Sequence, residues 1–221
     1  MRTVVFDLDG TLADTSADLI AAANACFRDL GHGDVLDPKA DAATAFRGGR
    51  AMLRLGLSRV DPGAGEDVVD AQYPRLLTAY EADIDRHTAL YPGALAAIAQ
   101  LHVDGYKVGV CTNKPHALAD TLLFRLGVRG MFDALVGAGT LDVSKPDPAP
   151  YRHTVALLGG DMARSLLVGD TVTDRETARA AGVASVLVTF GPEGDRVAKL
   201  EPEALLPHYD QLGAVVARLI G

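Results

Sequence analysis

The sequence has little with which to cross-link itself: two cysteines, Cys26 and Cys111, in 221 residues. That is too few for a disulfide framework, and both sit in apolar patterns that suit buried thiols. A long basic run is also missing. Lys and Arg number 21 against 29 Asp and Glu, a formal net charge of −8. Nucleic-acid binding rests on clustered cations and is not expected. No apolar run approaches the roughly 18 residues of a membrane span, so no membrane partner is expected. The chain starts directly on MRTVVFDLDG. With no apolar signal segment at that end and no disulfide framework, a cytoplasmic location is expected. The six histidines are scattered without metal-ligand spacing. VGAGTL (136–141) has two glycines of a dinucleotide-binding loop, but Asp142 stands where a third would be needed.

What remains is an ordinary balance of 48% hydrophobic and 23% charged residues. It suits one large domain, or a domain with an insertion, as monomer or homodimer. Short apolar, β-branched runs predict strands at TVVFD (3–7), KVGVCT (107–112), ALVGA (134–138), SLLVGD (165–170) and SVLVTF (185–190). Near-continuous apolarity is the mark of parallel strands buried on both faces. Helical patterns fall between them, at about 93–103, 115–127, 148–159 and 174–181. The alternation predicts an α/β fold, a doubly wound parallel sheet with a Rossmann-like core. One interval breaks the rhythm: residues 16–85 read as helix throughout. Ser16 is the expected N-cap of a first helix closed by Gly31, and further helices fit 49–58 and 66–83. The expected organisation is therefore a catalytic core of residues 1–15 and 86–221 with an inserted all-helical cap, 16–85.

Open α/β sheets bind ligands beyond the carboxyl ends of their strands. Here those ends carry Asp7, Asp9 and Thr11, then Thr112 and Asn113, then Lys145 in a loop, then Asp170 and Asp174. Any one of these has an ordinary reading as a helix cap. The set does not. Four carboxylates in one crevice repel one another unless cations are present, and Lys145 supplies a single positive charge. An all-oxygen donor set suits a hard divalent ion such as Mg²⁺.

DLDGT (7–11), CTN (111–113), SKPDP (144–148) and GDTVTD (169–174), in that order and each near a predicted strand end, resemble the motifs of the haloacid dehalogenase-like hydrolase superfamily. The resemblance spans essentially the whole chain, including the helical interval. It implies that Asp7 attacks phosphorus to form an aspartyl-phosphate and that Asp9 acts first as acid, then as base. It further implies that Asp7, the Asp9 carbonyl and Asp170 ligate Mg²⁺, with Asp174 in an outer or water-mediated position. Thr112 and Asn113 are implied to bind the phosphoryl group, Lys145 to neutralise it, and Gly10 and Thr11 to shape the turn. An Asp at position 9 favours phosphate over carbon-centred chemistry, because a leaving alkoxide needs a proton.

TNKPH (112–116), ARAAGV (178–183) and YPG (91–93) look most like the phosphoglycolate phosphatase branch. The expected substrate is thus a small phosphorylated metabolite, 2-phosphoglycolate first. Other sugar phosphates, pyrophosphate, a β-phosphoglucomutase-like transfer and a non-catalytic protein on the same frame stay open. Phosphonate cleavage is disfavoured, since the only lysine in the cap is Lys39. Where the branch commonly carries Gly-x-Gly, this chain reads Arg47-Gly48-Gly49, and Arg47 or Arg50 is a candidate grip for a substrate carboxylate.

Overall fold

The computed structural model describes all 221 residues. The chain folds as two compact units, Met1–Ala13 with Leu90–Gly221, and Asp14–Ala89. It opens on β1 (Thr3–Phe6) and leaves the first unit through β2 (Ala13–Asp14). The second unit holds α1 (Ser16–Asp29), α2 (Ala42–Ala45), α3 (Gly49–Val60) and α4 (Glu66–Ala82). The chain returns through β3 (Ala89–Leu90), which pairs with β2 in a two-stranded sheet. Then follow α5 (Ala94–Val103), β4 (Lys107–Pro115), α6 (His116–Arg125), β5 (Ala134–Ala138), α7 (Ala149–Leu157) and β6 (Ser165–Gly169). The last elements are α8 (Val172–Ala181), β7 (Ala184–Val188), β8 (Ala204–Leu206) and α9 (Leu212–Ile220).

The first unit is a six-stranded sheet in the order β5-β4-β1-β6-β7-β8, and every pairing is parallel. β1 lies between β4 and β6, with Thr3 opposite both Lys107 and Ser165. Successive strands step one way from β1 and later ones step the other way. The order therefore reverses at the carboxyl end of β1, where a crevice opens. Val4, Val5 and Phe6 have no exposed surface, nor do Val108, Val110, Leu166, Leu167 and Val168. Helices on both faces make this continuous burial possible. Cys26 and Cys111 are free, buried thiols, both raised to about 11 by burial.

In the second unit α1 buries Ile20, Ala23 and Phe27, a stripe at helical spacing. A Cβ on Gly56 of α3 would stand 2.0 Å from the Phe27 ring, so α3 meets α1 through a residue without a side chain. Asp18 of α1 ties down the returning chain: its carboxylate accepts from the His87 N–H, the Thr88 N–H and the Thr88 hydroxyl. Asn24 closes the loop after α1 by accepting from the N–H groups of Val35 and Leu36 and donating to the Leu36 carbonyl.

The structure departs from the sequence reading in several places. Thr15, not Ser16, precedes the first helical residue; Ser16 is held by Asp14, whose carboxylate accepts from its N–H and hydroxyl. β4 runs on to Pro115, three residues past the expected end at Thr112, so Asn113 lies within a strand rather than after one. β8 and α9 are additional elements, as is the one-turn α2.

Candidate active site

The site is built first from the turn after β1. The Asp7 N–H donates to the Val168 carbonyl of β6 at 2.9 Å, which fixes the first aspartate at the sheet edge. The chain then doubles back, with N–H groups of Leu12 and Ala13 bonded to the Leu8 carbonyl. Gly10 has φ +80, and a Cβ there would lie 2.3 Å from Asp170 Oδ2. The turn needs glycine both for its backbone angle and for its approach to a carboxylate. The Thr11 hydroxyl donates to Asp170 Oδ1 at 2.9 Å. From the far end of the sequence, the buried Tyr209 hydroxyl donates to the Thr11 carbonyl at 2.8 Å. Phe190 lies between Tyr91 and Tyr209, with ring centroids 4.8 and 5.2 Å away and the ring planes tilted.

β4 supplies the next wall. Its register against β5 shifts between Cys111 and Pro115. Such an irregularity re-aims consecutive side chains. Three residues in a row then do different work. Thr112 Oγ1 accepts from the Lys114 N–H at 3.1 Å. The Asn113 amide grips the Lys145 backbone from both sides, donating to its carbonyl at 2.8 Å and accepting from its N–H at 2.9 Å. Lys114 Nζ reaches both oxygens of Asp9, at 2.8 and 3.0 Å. The segment packs on Gly137 of β5, where a Cβ would sit 2.8 Å from the Lys114 carbonyl oxygen and 2.5 Å from the His116 α-carbon.

Lys145 and α8 close the arrangement. Lys145 Nζ donates to Asp174 Oδ1 at 2.6 Å. It also lies 3.0 Å from Asp7 Oδ1, near enough for an ion pair but not aligned as a hydrogen bond. Asp174 Oδ2 accepts from the N–H groups of Asp170 and Thr171 and from the Thr171 hydroxyl, pinning the start of α8. Both Asp174 oxygens are thereby committed.

Burial raises Asp7 to about 6; Lys145 opposes the shift, while Asp174 and Asp9 add to it. The carboxylate form still prevails at neutral pH. Asp170 is raised well above the usual range, by burial first and then by Asp174 and Asp7. Burial pulls Lys145 down, but Asp174 and Asp7 outweigh it and hold its ammonium above the ordinary value. With all groups ionised, four carboxylates face two ammonium groups, Lys145 and Lys114, leaving a formal excess of two negative charges.

The structure thus brings Asp7, Asp9, Gly10, Thr11, Thr112, Lys145, Asp170 and Asp174 into one connected network. Asn113 belongs to it through its hold on Lys145, which uses the amide oxygen and one of the two amide N–H groups. Lys114 is the member that the sequence motifs did not single out. Its signal was the one cation of TNKP, directly after the apolar run Val108–Cys111. Arg47 and Arg50 belong to the second unit. Arg50 is paired with Asp70 and lies 4.6 Å from the Tyr73 ring centroid, and Arg47 is exposed.

One oxygen each of Asp7, Asp170 and Asp174 lies within 4.8 Å of the others. Asp7 Oδ1 and Asp170 Oδ2 are buried without a hydrogen-bond partner. Buried carboxylate oxygens are costly in that state, and an oxygen-only pair with an excess of negative charge fits a hard cation.

A family model described as haloacid dehalogenase-like hydrolase matches residues 1–182. The chain is 37% identical to the phosphoglycolate phosphatase of Mesorhizobium japonicum, over 98% of this chain and 96% of that protein. It is also 37% identical to the phosphoglycolate phosphatase of Cereibacter sphaeroides strain ATCC 17025, over the full length of both. Among solved structures, a predicted phosphoglycolate phosphatase from Haemophilus somnus superposes with a TM-score of 0.83. It is 22% identical, covers 97% of each chain and bears on the fold.

Proposed function

Because the chain belongs to the haloacid dehalogenase-like hydrolase family, we propose that it is a Mg²⁺-dependent phosphoric monoester hydrolase acting on 2-phosphoglycolate. The observation that carries this reading is the pair Asp7 and Asp9, two residues apart on one turn, each held by its own lysine. Asp7 attacks the phosphorus: an Asp7 oxygen–phosphorus bond forms as the ester oxygen–phosphorus bond breaks. Asp9 gives its proton to the leaving oxygen. Water then attacks the aspartyl-phosphate, Asp9 takes the proton back, and Asp7 and inorganic phosphate are regenerated. Lys145 offsets charge on Asp7 and on the phosphoryl oxygens, and Thr112 donates to those oxygens. Asn113 fixes Lys145 and has a second amide N–H to give to the phosphoryl oxygens. Asp7, the Asp9 carbonyl and Asp170 would hold Mg²⁺, which when bound would offset the negative charge of the carboxylates and the phosphoryl group. Asp174 holds Lys145 and the start of α8.

The helical unit serves as the cap that selects the substrate, and the carboxylate of 2-phosphoglycolate is assigned to Arg47 or Arg50. No helix is long and apolar enough to cross a membrane, and the cytoplasm is the assigned compartment.

The test is release of inorganic phosphate from a panel of phosphorylated metabolites, with Mg²⁺ and with chelator. The expected result is metal-dependent turnover, fastest on 2-phosphoglycolate, and a folded but inactive Asp7→Asn variant. Turnover retained by Asp7→Asn, with contaminating phosphatase excluded, overturns the nucleophile; a faster sugar phosphate or pyrophosphate overturns the substrate.

A further inference from the structure

One charged group in the site takes no part in that chemistry. Lys114 is buried, its side chain 3% exposed against 16% for Asp9. Desolvating an ammonium is expensive, and a buried ion pair gives little net stability over apolar residues of the same size. Its geometry is also specific. The ammonium contacts both oxygens of one carboxylate, 105 residues away along the chain. The backbone beneath it is restrained three times over: by the Thr112 hydroxyl, by the register shift of β4 and by the close approach of Gly137. The neighbouring residue, Asn113, restrains the other lysine of the site. One irregular stretch of β4 therefore sets the position of both ammonium groups, one facing Asp7 and Asp174, the other facing Asp9.

We propose that Lys114 is a positioning residue for Asp9, fixing the orientation of its carboxyl group toward the leaving oxygen of the substrate. The inference rests on the phosphatase reading, in which Asp9 transfers the proton. A side chain held at both oxygens by a buried donor has few orientations left, and a proton donor acts only within hydrogen-bond reach of its target. Lys114 acts through Asp9 and does not itself bind the phosphoryl group.

The experiment compares wild type, Lys114→Met and Lys114→Arg on two esters in Mg²⁺. One is 2-phosphoglycolate, whose alkoxide leaving group needs a proton; the other is p-nitrophenyl phosphate, whose phenolate leaves without one. Loss of positioning should lower kcat on 2-phosphoglycolate about 100-fold or more, the size of a general-acid contribution. The loss on p-nitrophenyl phosphate should be under about tenfold, KM should move less than kcat, and Arg should restore part of the loss. Equal losses on the two esters, or no loss on either, overturn the role of Lys114 while leaving the phosphatase reading in place. A wild type that hydrolyses neither ester overturns both. Should Lys114→Met fail to fold because Asp9 loses its ion pair with Lys114, the double variant Lys114→Met with Asp9→Asn removes the charge on both sides. Its kinetics on p-nitrophenyl phosphate should equal those of Asp9→Asn alone, and a further loss overturns the proposal.

Discussion

Asp170 is a carboxylate kept almost entirely from water with only one of its oxygens bonded. Thr11 donates to Oδ1, while Oδ2 has no hydrogen-bond partner and faces the place where a side chain on Gly10 would stand. Without metal this residue works against folding, since a carboxyl whose pKa is raised in the native state destabilises it at neutral pH. Asp170→Asn keeps the acceptor for Thr11 and removes the charge. In chelator its thermal midpoint should therefore exceed that of wild type, with each kcal/mol worth roughly 2–4 °C in a chain this long. Added Mg²⁺ should raise the wild-type midpoint and leave the variant's unchanged, because only a state that binds the ion gains from it. Thermal denaturation of both proteins in the two buffers checks this, and a variant less stable than wild type in chelator contradicts it.

At the scale of elements, the irregular end of β4 is the part on which most of the site depends. Gly137 of β5 lies beneath it. The atoms that an added Cβ would meet are backbone atoms of Lys114 and His116, which cannot swing aside as a flexible side chain can. Gly137→Ala should destabilise the protein by about 1–3 kcal/mol, as overpacking does. It should also lower kcat by displacing Thr112, Asn113 and Lys114 together. Denaturant titration and steady-state kinetics on the same preparation measure the two effects, and a stable, fully active variant refutes the dependence. Elements of this kind are only partly legible in sequence. β1, β5 and β6 announce themselves through continuous apolarity. The shift within β4 does not, because it arises from pairing with β5 rather than from local preference, and the position of Lys114 depends on it. β8 is three residues long between Pro202 and Pro207, and its place is set by Glu203 bonding Arg175 and Ser185. No window of sequence carries that information. α9 is different: Leu212, Val216 and Ile220 stand at helical spacing and are buried, a pattern present in the sequence itself.

For the molecule as a whole, the proposed function assigns chemistry to one unit and selection to the other. The α/β unit holds every residue assigned to bond making and breaking, and the helical unit holds Arg47 and Arg50. Arg50 is already engaged with Asp70 and the Tyr73 ring, so a substrate carboxylate would take it over by exchange. An arginine gripping a carboxylate contributes on the order of 1.5–3 kcal/mol. Loss of the gripping residue should thus lower kcat/KM for 2-phosphoglycolate by tenfold or more, at about 1.4 kcal/mol per tenfold. A phosphate ester without a carboxylate should be spared. Arg47→Ala and Arg50→Ala, each assayed on both kinds of ester, decide the matter; two unchanged values for 2-phosphoglycolate remove both arginines from the substrate site.

The hydrogen bond from Tyr209 to the Thr11 carbonyl spans 198 residues of chain. A polypeptide is made from its N-terminus, so Thr11 leaves the ribosome 198 residues ahead of Tyr209. Asp7 follows β1, whose two neighbours, β4 and β6, are also made later. The turn after β1 therefore gains its last hydrogen bond only once Tyr209 has been made. A message cut short before that residue yields a chain that holds Asp7 without the bond that fixes the Thr11 carbonyl.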